Sequence, residues 1–374
     1  MFIRAFCLRK TQILHSSRPQ TRYVSIASTA MDAIKTTLAE NVGGPSHNLV
    51  DAKHQFTLEE TPDQSGKVAL VTGGSQGIGY GASFTLLQKN LAKLFVLSMS
   101  GETMDGAVKD VQEKLGEEAA KKITWLQCDL ADWKAVAETS SKIRDQTDRL
   151  DILVLNAARG IMTYQLTDDT GVDLHMALNH MGHVVLTSHL LPVLKSTASA
   201  GNKVRITVQS SNAHQSAPSD TRFASLDELN RDLGPNGQYG RSKLANLLYA
   251  RYLARHLTKQ NPNILVNATH PGVVETKQST KDIHEPYPIA GAAMSTLLNP
   301  LKKDQWMGAV STVFAATKVE ESGLYICPPA VPEEGSKMAQ DEELGEQLMK
   351  LTREIVMEKT YSDSKEKGCP FDFY

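Results

Sequence analysis

The stretch Val71-Thr72-Gly73-Gly74-Ser75-Gln76-Gly77-Ile78-Gly79 governs how the rest of the chain is read. It ends an apolar run that begins at Val68, and a helical pattern through Tyr80–Lys89 comes after it. Gly73 permits a sharp turn off a strand. Gly77 lets backbone approach a pyrophosphate, and Gly79 lets a helix lie close against the strand. The helix N-terminus then directs N–H donors and positive dipole at the anion. Glycine-rich turns are common, but this placement between a strand and a helix favours dinucleotide binding over a plain structural turn. No Gly-Lys-Ser/Thr follows, so the loop is not a P-loop.

Outward from this loop, short β-rich runs recur. Val68–Thr72, Leu94–Leu97, Ile123–Leu126, Ile152–Leu155, Val204–Val208, Ile264–Thr269 and Leu324–Ile326 read as strands, with helical periodicity between most of them. Repeated βα units predict an α/β fold, a single doubly wound (Rossmann) parallel sheet with helices on both faces. No linker interrupts residues 67–326, and a C-terminal helix is expected near Asp341–Glu358. The expected division is a leader at 1–30, an arm at 31–65, the domain at 66–360 and a tail at 361–374.

The chain has 374 residues, 41% hydrophobic, with 40 Lys plus Arg against 42 Asp plus Glu. That composition supports a large core and excludes global disorder. The near-neutral balance argues against a nucleic-acid partner. No uncharged apolar run approaches the ~18 residues a transmembrane helix needs. Cys7, Cys128, Cys327 and Cys369 lie far apart and form no CxxC pair, which excludes a disulfide scaffold. Residues 1–30 carry Arg4, Arg9, Lys10, Arg18 and Arg22 with no acidic residue. That is the composition of a mitochondrial transit peptide; a disordered tail ahead of an alternative start at Met31 is the other reading. Failing mitochondrial import, the expected location is cytoplasmic.

Tyr239-Gly240-Arg241-Ser242-Lys243 stands ahead of a helix expected at Leu244–Leu257. Tyr239 and Lys243 are i,i+4 neighbours on one helix face. An ammonium beside a phenol lowers the phenol's pKa and makes it a usable general acid. Taken alone, the pair also reads as an ordinary surface Tyr/Lys contact.

Together, Thr72-Gly73-xxx-Gly77-x-Gly79 and Tyr239-xxx-Lys243 resemble the short-chain dehydrogenase/reductase family. Further pieces follow in the same order: Cys128-Asp129-Leu130, Asn156-Ala157-Ala158, Asn179-His180-Met181-Gly182-His183, Gln209-Ser210-Ser211 and His270-Pro271-Gly272-Val273-Val274-Glu275-Thr276. The Asn-His-x-Gly-His run is similar to that of the retinol dehydrogenase-like branch, as is Ala339-Gln340-Asp341-Glu342-Glu343. Ala158 and Leu155 depart from the usual Asn-Asn-Ala-Gly, so only Asn156 carries over there. The resemblance implies catalytic roles for Asn179, Ser211, Tyr239 and Lys243. It implies cofactor contacts from Gly73, Ser75, Gln76, Gly77, Ile78, Gly79, Asp129, Asn156, Tyr239, Lys243, Val274 and Thr276. The expected activity is hydride transfer between a carbonyl and an alcohol, with a small hydrophobic molecule reduced. The alternative is a catalytically idle NADP(H)-sensing protein. A dimer or monomer is implied.

After the second strand the chain reads Leu97-Ser98-Met99-Ser100-Gly101-Glu102, with no acid at Met99 or Ser100. Lacking the carboxylate that holds a ribose 2′-OH, this end favours NADP, with NAD as the alternative because Glu102 could reach back. His175, His180, His183 and His189 crowd one helix, but no further ligands have suitable spacing, so no metal is expected. The segment from Asn212 to Gln238, centred on Phe223–Pro235, is expected to form a flap near the substrate. The loop from Lys277 to Pro288 is expected to complete the pocket wall.

Overall fold

A computed structural model describes Lys35, Leu38, residues 49–274 and residues 304–366, the last with side chains through residue 360. The leader at 1–30, Thr276 and the loop from Lys277 to Pro288 lie outside the described residues. Eight strands form one sheet: β1 (Val68–Thr72), β2 (Lys93–Ser98), β3 (Ile123–Gln127), β4 (Ile152–Leu155), β5 (Val204–Gln209), β6 (Ile264–Thr269), β7 (Tyr325–Cys327) and β8 (Val331–Glu333). Their spatial order is β3-β2-β1-β4-β5-β6-β7-β8. The first seven are parallel, and β8 pairs antiparallel with β7. The sheet is therefore mostly rather than wholly parallel. Strand β8 carries Pro332, which cannot donate to a ladder and so suits an edge.

The helices are α1 (Gly77–Gln88), α2 (Gly101–Leu115), α3 (Glu117–Ala120), α4 (Trp133–Arg144), α5 (Leu174–Met176), α6 (Gly182–Ser199), α7 (Leu226–Leu229), α8 (Gly234–Leu253), α9 (Gln305–Thr317) and α10 (Glu342–Glu366). Helix α10 runs past the expected boundary at residue 360. Strands β1, β4, β5 and β6 are buried at every position, because helices cover both faces of the sheet. One large apolar cluster joins Leu70, Leu153, Val208, Leu244 and Leu348 beneath α6, α8 and α10. A second joins Val71, Leu86, Val96 and Val111 beneath α1 and α2.

The arm docks on this body. Phe56 is buried beside Ala82, Ala309 and Val313, and its ring centroid lies 5.1 Å from that of Phe314. Strand order reverses between β1 and β4, and the crevice at their carboxyl ends is where ligands bind in this architecture.

Candidate active site

The glycine loop leaves β1 at that crevice. Gly73 and Gly77 take positive φ angles of 66° and 55°. A Cβ at Gly79 would stand 2.2 Å from the Gly73 carbonyl oxygen, and one at Gly73 would stand 3.1 Å from Asn156 Nδ2. Side chains are thus kept off the loop where a dinucleotide phosphate would approach backbone, and the residues present fit such a group. Helix α1 begins at Gly77 rather than Tyr80, with Gln76 as its N-cap. Ser75 Oγ lies 3.1 Å from Thr103 Oγ1, which ties the loop to the start of α2. Ile78 and Val274 both reach the face of α9 at Gly308. Asp129 Oδ1 accepts the Ala131 N–H at 2.9 Å and shapes the turn after β3. Just beyond it, a Cβ at Gly182 would meet the Leu130 carbonyl oxygen at 2.1 Å, so only glycine lets α6 approach this turn.

Thr72 joins the loop to the next wall. Its Oγ1 accepts the N–H groups of Asn156 at 2.9 Å and Ala157 at 3.0 Å, while Asn156 Nδ2 donates to the Thr72 carbonyl at 3.0 Å. His183 Nε2 lies 2.9 Å from the same Oγ1, and its Nδ1 lies 3.1 Å from the Asn179 carbonyl oxygen. A carbonyl only accepts, so Nδ1 carries the proton and Nε2 accepts from the Thr72 hydroxyl. Burial holds this imidazole neutral, with its pKa pushed down to about 3. His180 bonds instead to Thr352 on α10, at 3.0 Å. The two histidines therefore face different partners, and the helix carries a π turn at Ala177–Met181.

That π turn holds Asn179. Its Oδ1 accepts the Arg159 N–H at 2.8 Å, and its Nδ2 donates to the Arg159 carbonyl at 3.1 Å and to Ser242 Oγ at 3.0 Å. Ser242 Oγ donates in turn to the Tyr239 carbonyl at 2.8 Å. Asn179 is thus linked directly to the helix of Tyr239 and Lys243. Those residues lie inside α8, which starts at Gly234, not at its opening. Pro235 in its first turn suits a helix start.

Lys243 is 2% exposed. Its Nζ donates to the Gln209 carbonyl at 3.1 Å and stands 5.5 Å from the centroid of the Tyr239 ring. Burial pushes its pKa down to about 7. Ser211 follows β5, and its Oγ accepts the Ala213 N–H at 3.2 Å. Its carbonyl accepts from His214 Nδ1 at 2.8 Å, and His214 Nε2 accepts the Ser336 N–H at 2.9 Å. A Cβ at Gly240 would lie 2.8 Å from the Ala213 carbonyl oxygen, so this glycine lets the Tyr239 helix approach the Ser211 turn.

The segment expected to be a flap is fastened. Phe223 is fully buried at a φ of 51°, and the Glu228 carboxylate accepts the N–H groups of Arg222, Phe223 and Ala224. Sequence reasoning passed over His183, His214 and Arg241 as functional neighbours. His183 was marked only as part of the Asn-His-x-Gly-His run, and nothing in the residue order separates His214 or Arg241 from ordinary packing or surface groups; their burial and partners do.

A family model described as short chain dehydrogenase matches residues 67–225. A Neurospora crassa protein named for a mitochondrial oxidoreductase, bli-4, is 53% identical over 98% of this chain and 90% of its own. The chain belongs to the short-chain dehydrogenase/reductase family. As a member of that family it is an oxidoreductase acting on CH–OH or C=O groups with NAD(P). It is also similar to the human polyprenol dehydrogenase, 31% identical over 70% of this chain and 76% of that one. Among solved structures, the Pseudomonas aeruginosa RhlG/NADP active-site complex superposes with a TM-score of 0.53 and 25% identity, covering 71% of this chain and 95% of that one. Among the described residues, no helix is long and apolar enough to cross a membrane.

Proposed function

We propose that this short-chain dehydrogenase/reductase is an NADP-dependent carbonyl reductase of a hydrophobic substrate, with Tyr239 as general acid. The observation that carries the reading is buried Lys243 beside the Tyr239 ring, held by the Gln209 carbonyl at the carboxyl end of β5. Gly73, Ser75, Gln76, Gly77, Ile78, Gly79, Asp129, Asn156, Lys243, Val274 and Thr276 would hold the dinucleotide. When bound, it supplies the hydride that reduces the carbonyl carbon. The chain supplies the proton. Tyr239 donates its phenolic hydrogen to the substrate oxygen as negative charge grows there. Lys243, in its ammonium form, favours the phenolate left behind. The Ser211 hydroxyl already accepts from Ala213, so its own hydrogen remains to donate to the same oxygen. The Asn179 side chain is consumed in holding Arg159 and Ser242, and its carbonyl, which accepts from His183 Nδ1, keeps a second lone pair able to hold a proton-relaying water.

The NADP preference rests on the β2 end. Met99 there is 54% exposed and carries no charge. Ser98 Oγ accepts from Trp125 Nε1 at 3.0 Å and Ser100 Oγ from the Thr103 N–H at 3.3 Å, so each hydroxyl keeps a hydrogen for a 2′-phosphate. The basic leader and the mitochondrial name of the Neurospora relative support mitochondrial import. The polyprenol dehydrogenases make isoprenoid carbonyls worth including among the candidate substrates.

The test is NADPH oxidation with geranial, trans-2-hexenal and phenanthrenequinone, followed by Tyr239→Phe on the best substrate. Removing the acid should lower turnover by about 10²–10⁴ while NADPH still binds. A variant that keeps more than about a tenth of the rate would show that Tyr239 is not the acid.

A further inference from the structure

Arg241 lies between Tyr239 and Lys243 but does not face solvent; it is 1% exposed. Its guanidinium donates to the Glu228 carbonyl at 2.9 Å, to the Leu229 carbonyl, and to Gln238 Oε1 at 2.7 Å. Nη2 also stands 3.8 Å from Asp173 Oδ1. The partners of Arg241 outside α8 belong to two segments of the chain. Glu228 and Leu229 belong to α7, and the Glu228 carboxylate gathers the backbone of residues 222–224. Asp173 is fully buried and caps α5 by accepting the Met176 N–H at 3.0 Å, directly before the π turn of Asn179. The two walls also meet each other. Asn230 Oδ1 accepts the Asp173 N–H at 2.9 Å, Asn230 Nδ2 donates to the Gly171 carbonyl at 2.7 Å, and Tyr164 donates its hydroxyl to the Asn230 carbonyl.

We infer that Arg241 is a positioning residue that brackets the substrate side of the site, setting the α7 segment and the Asn179 turn against the helix of Tyr239 and Lys243. A planar guanidinium suits this task because it donates in several fixed directions at once. None of the partners of Arg241 is among the residues proposed to hold the dinucleotide, and the Asn179 turn meets the cofactor side through its carbonyl, which accepts from His183 Nδ1. The bracket should therefore govern capture and alignment of substrate and leave dinucleotide affinity alone. Misplacement of reacting groups by about 1 Å costs as much as about 10²-fold in rate. The inference rests on Tyr239 acting as the acid.

The experiment compares Arg241→Met, Arg241→Lys and Asn230→Ala, with Tyr239→Phe as reference. Asn230 is half-buried, so its variant folds more readily than one that empties the Arg241 site. Substrates are geranial and phenanthrenequinone with NADPH, and cofactor affinity is measured separately by fluorescence titration. Arg241→Met is expected to raise KM at least about tenfold and to lower kcat, with NADPH affinity changed by less than about twofold. Asn230→Ala should shift the same parameters less, and Arg241→Lys should recover part of the loss, because one ammonium replaces only some of the fork. Amide hydrogen exchange gives a readout independent of any substrate. Faster exchange in Arg241→Met confined to residues 164–181 and 222–230 supports the bracket. The inference is overturned if KM and kcat per NADPH-binding site stay at wild-type values while only melting temperature falls. It is equally overturned if exchange accelerates uniformly. An active Tyr239→Phe would instead remove the proposed acid, an outcome distinct from either of these.

Discussion

Burying a lysine is costly, and among the described residues the Gln209 carbonyl is the group that accepts from buried Lys243. That cost has a measurable signature. Unfolded, the amine titrates near 10.5; folded, burial brings it down to about 7. Between those values the unfolded chain binds more protons at this site than the native one. Raising pH through that window therefore favours the native state. Below about pH 7 both states are protonated and the whole penalty is felt. Lys243→Met lacks this term. Urea unfolding of the cofactor-free protein should thus show wild-type stability rising relative to Lys243→Met, by up to about 1.4 kcal/mol per pH unit. Parallel stability profiles for the two proteins would refute the burial of an ionisable amine.

The proposed cofactor preference belongs to the ends of elements. Strand β2 delivers Ser98, Met99 and Ser100 to the start of α2, and Ser100 caps that helix. A carboxylate at Met99 would occupy an exposed position and repel a 2′-phosphate. Met99→Asp should therefore weaken NADPH binding about tenfold or more and improve NADH relative to it. Titration of both dinucleotides decides this, and an unmodified protein that binds NADH more tightly would reverse the proposed preference. The strands were legible because most are short, continuous β-branched or aliphatic runs, and β1, β4, β5 and β6 are buried throughout. Strand β8 was not, since Val331-Pro332-Glu333 is three residues long, carries a proline, and exists by pairing with β7. The π turn at Ala177–Met181 was also hidden, because an apolar pattern reports which face is buried, not a one-residue change in hydrogen-bond register.

For the whole molecule, the arm and the leader behave differently. Phe56 is 2% exposed and sits over α9, with Lys318 Nζ 5.4 Å from its ring centroid. Phe56→Ala should cost about 3 kcal/mol in urea unfolding and leave the kinetic constants of the folded enzyme unchanged, because the ring packs against helices away from Tyr239 and Lys243. A loss much below 1 kcal/mol would mean the arm contributes little to the fold. Residues 1–30 should direct a fused fluorescent reporter to mitochondria, and replacing Arg4, Arg9, Lys10, Arg18 and Arg22 should leave it cytosolic. A cytosolic reporter bearing the intact segment would exclude the transit role.

The sequence by itself determined the α/β class, seven of the strands, the glycine loop and the Tyr239/Lys243 spacing, while Asn179 and Ser211 were named through the family resemblance. These features are local: β-branched runs, glycines at a fixed offset, and a Tyr/Lys pair one helical turn apart each express their physics within a few residues. Only the tertiary structure decided which remaining polar groups matter. Arg241 in sequence is one more charge in a helix; in the fold its neighbours at residues 173, 228 and 229 come from other elements and exclude water. His183 is one of several histidines until Thr72 and Asn179 converge on its two nitrogens and fix its tautomer. The segment from Asn212 to Gln238 read as a flap because it is longer than in compact members of the family. It is fastened because a carboxylate from Glu228 and a guanidinium from Arg241 satisfy its backbone. Burial and hydrogen-bond pairing across distant residues belong to the folded chain, and there the same side chains acquire different roles.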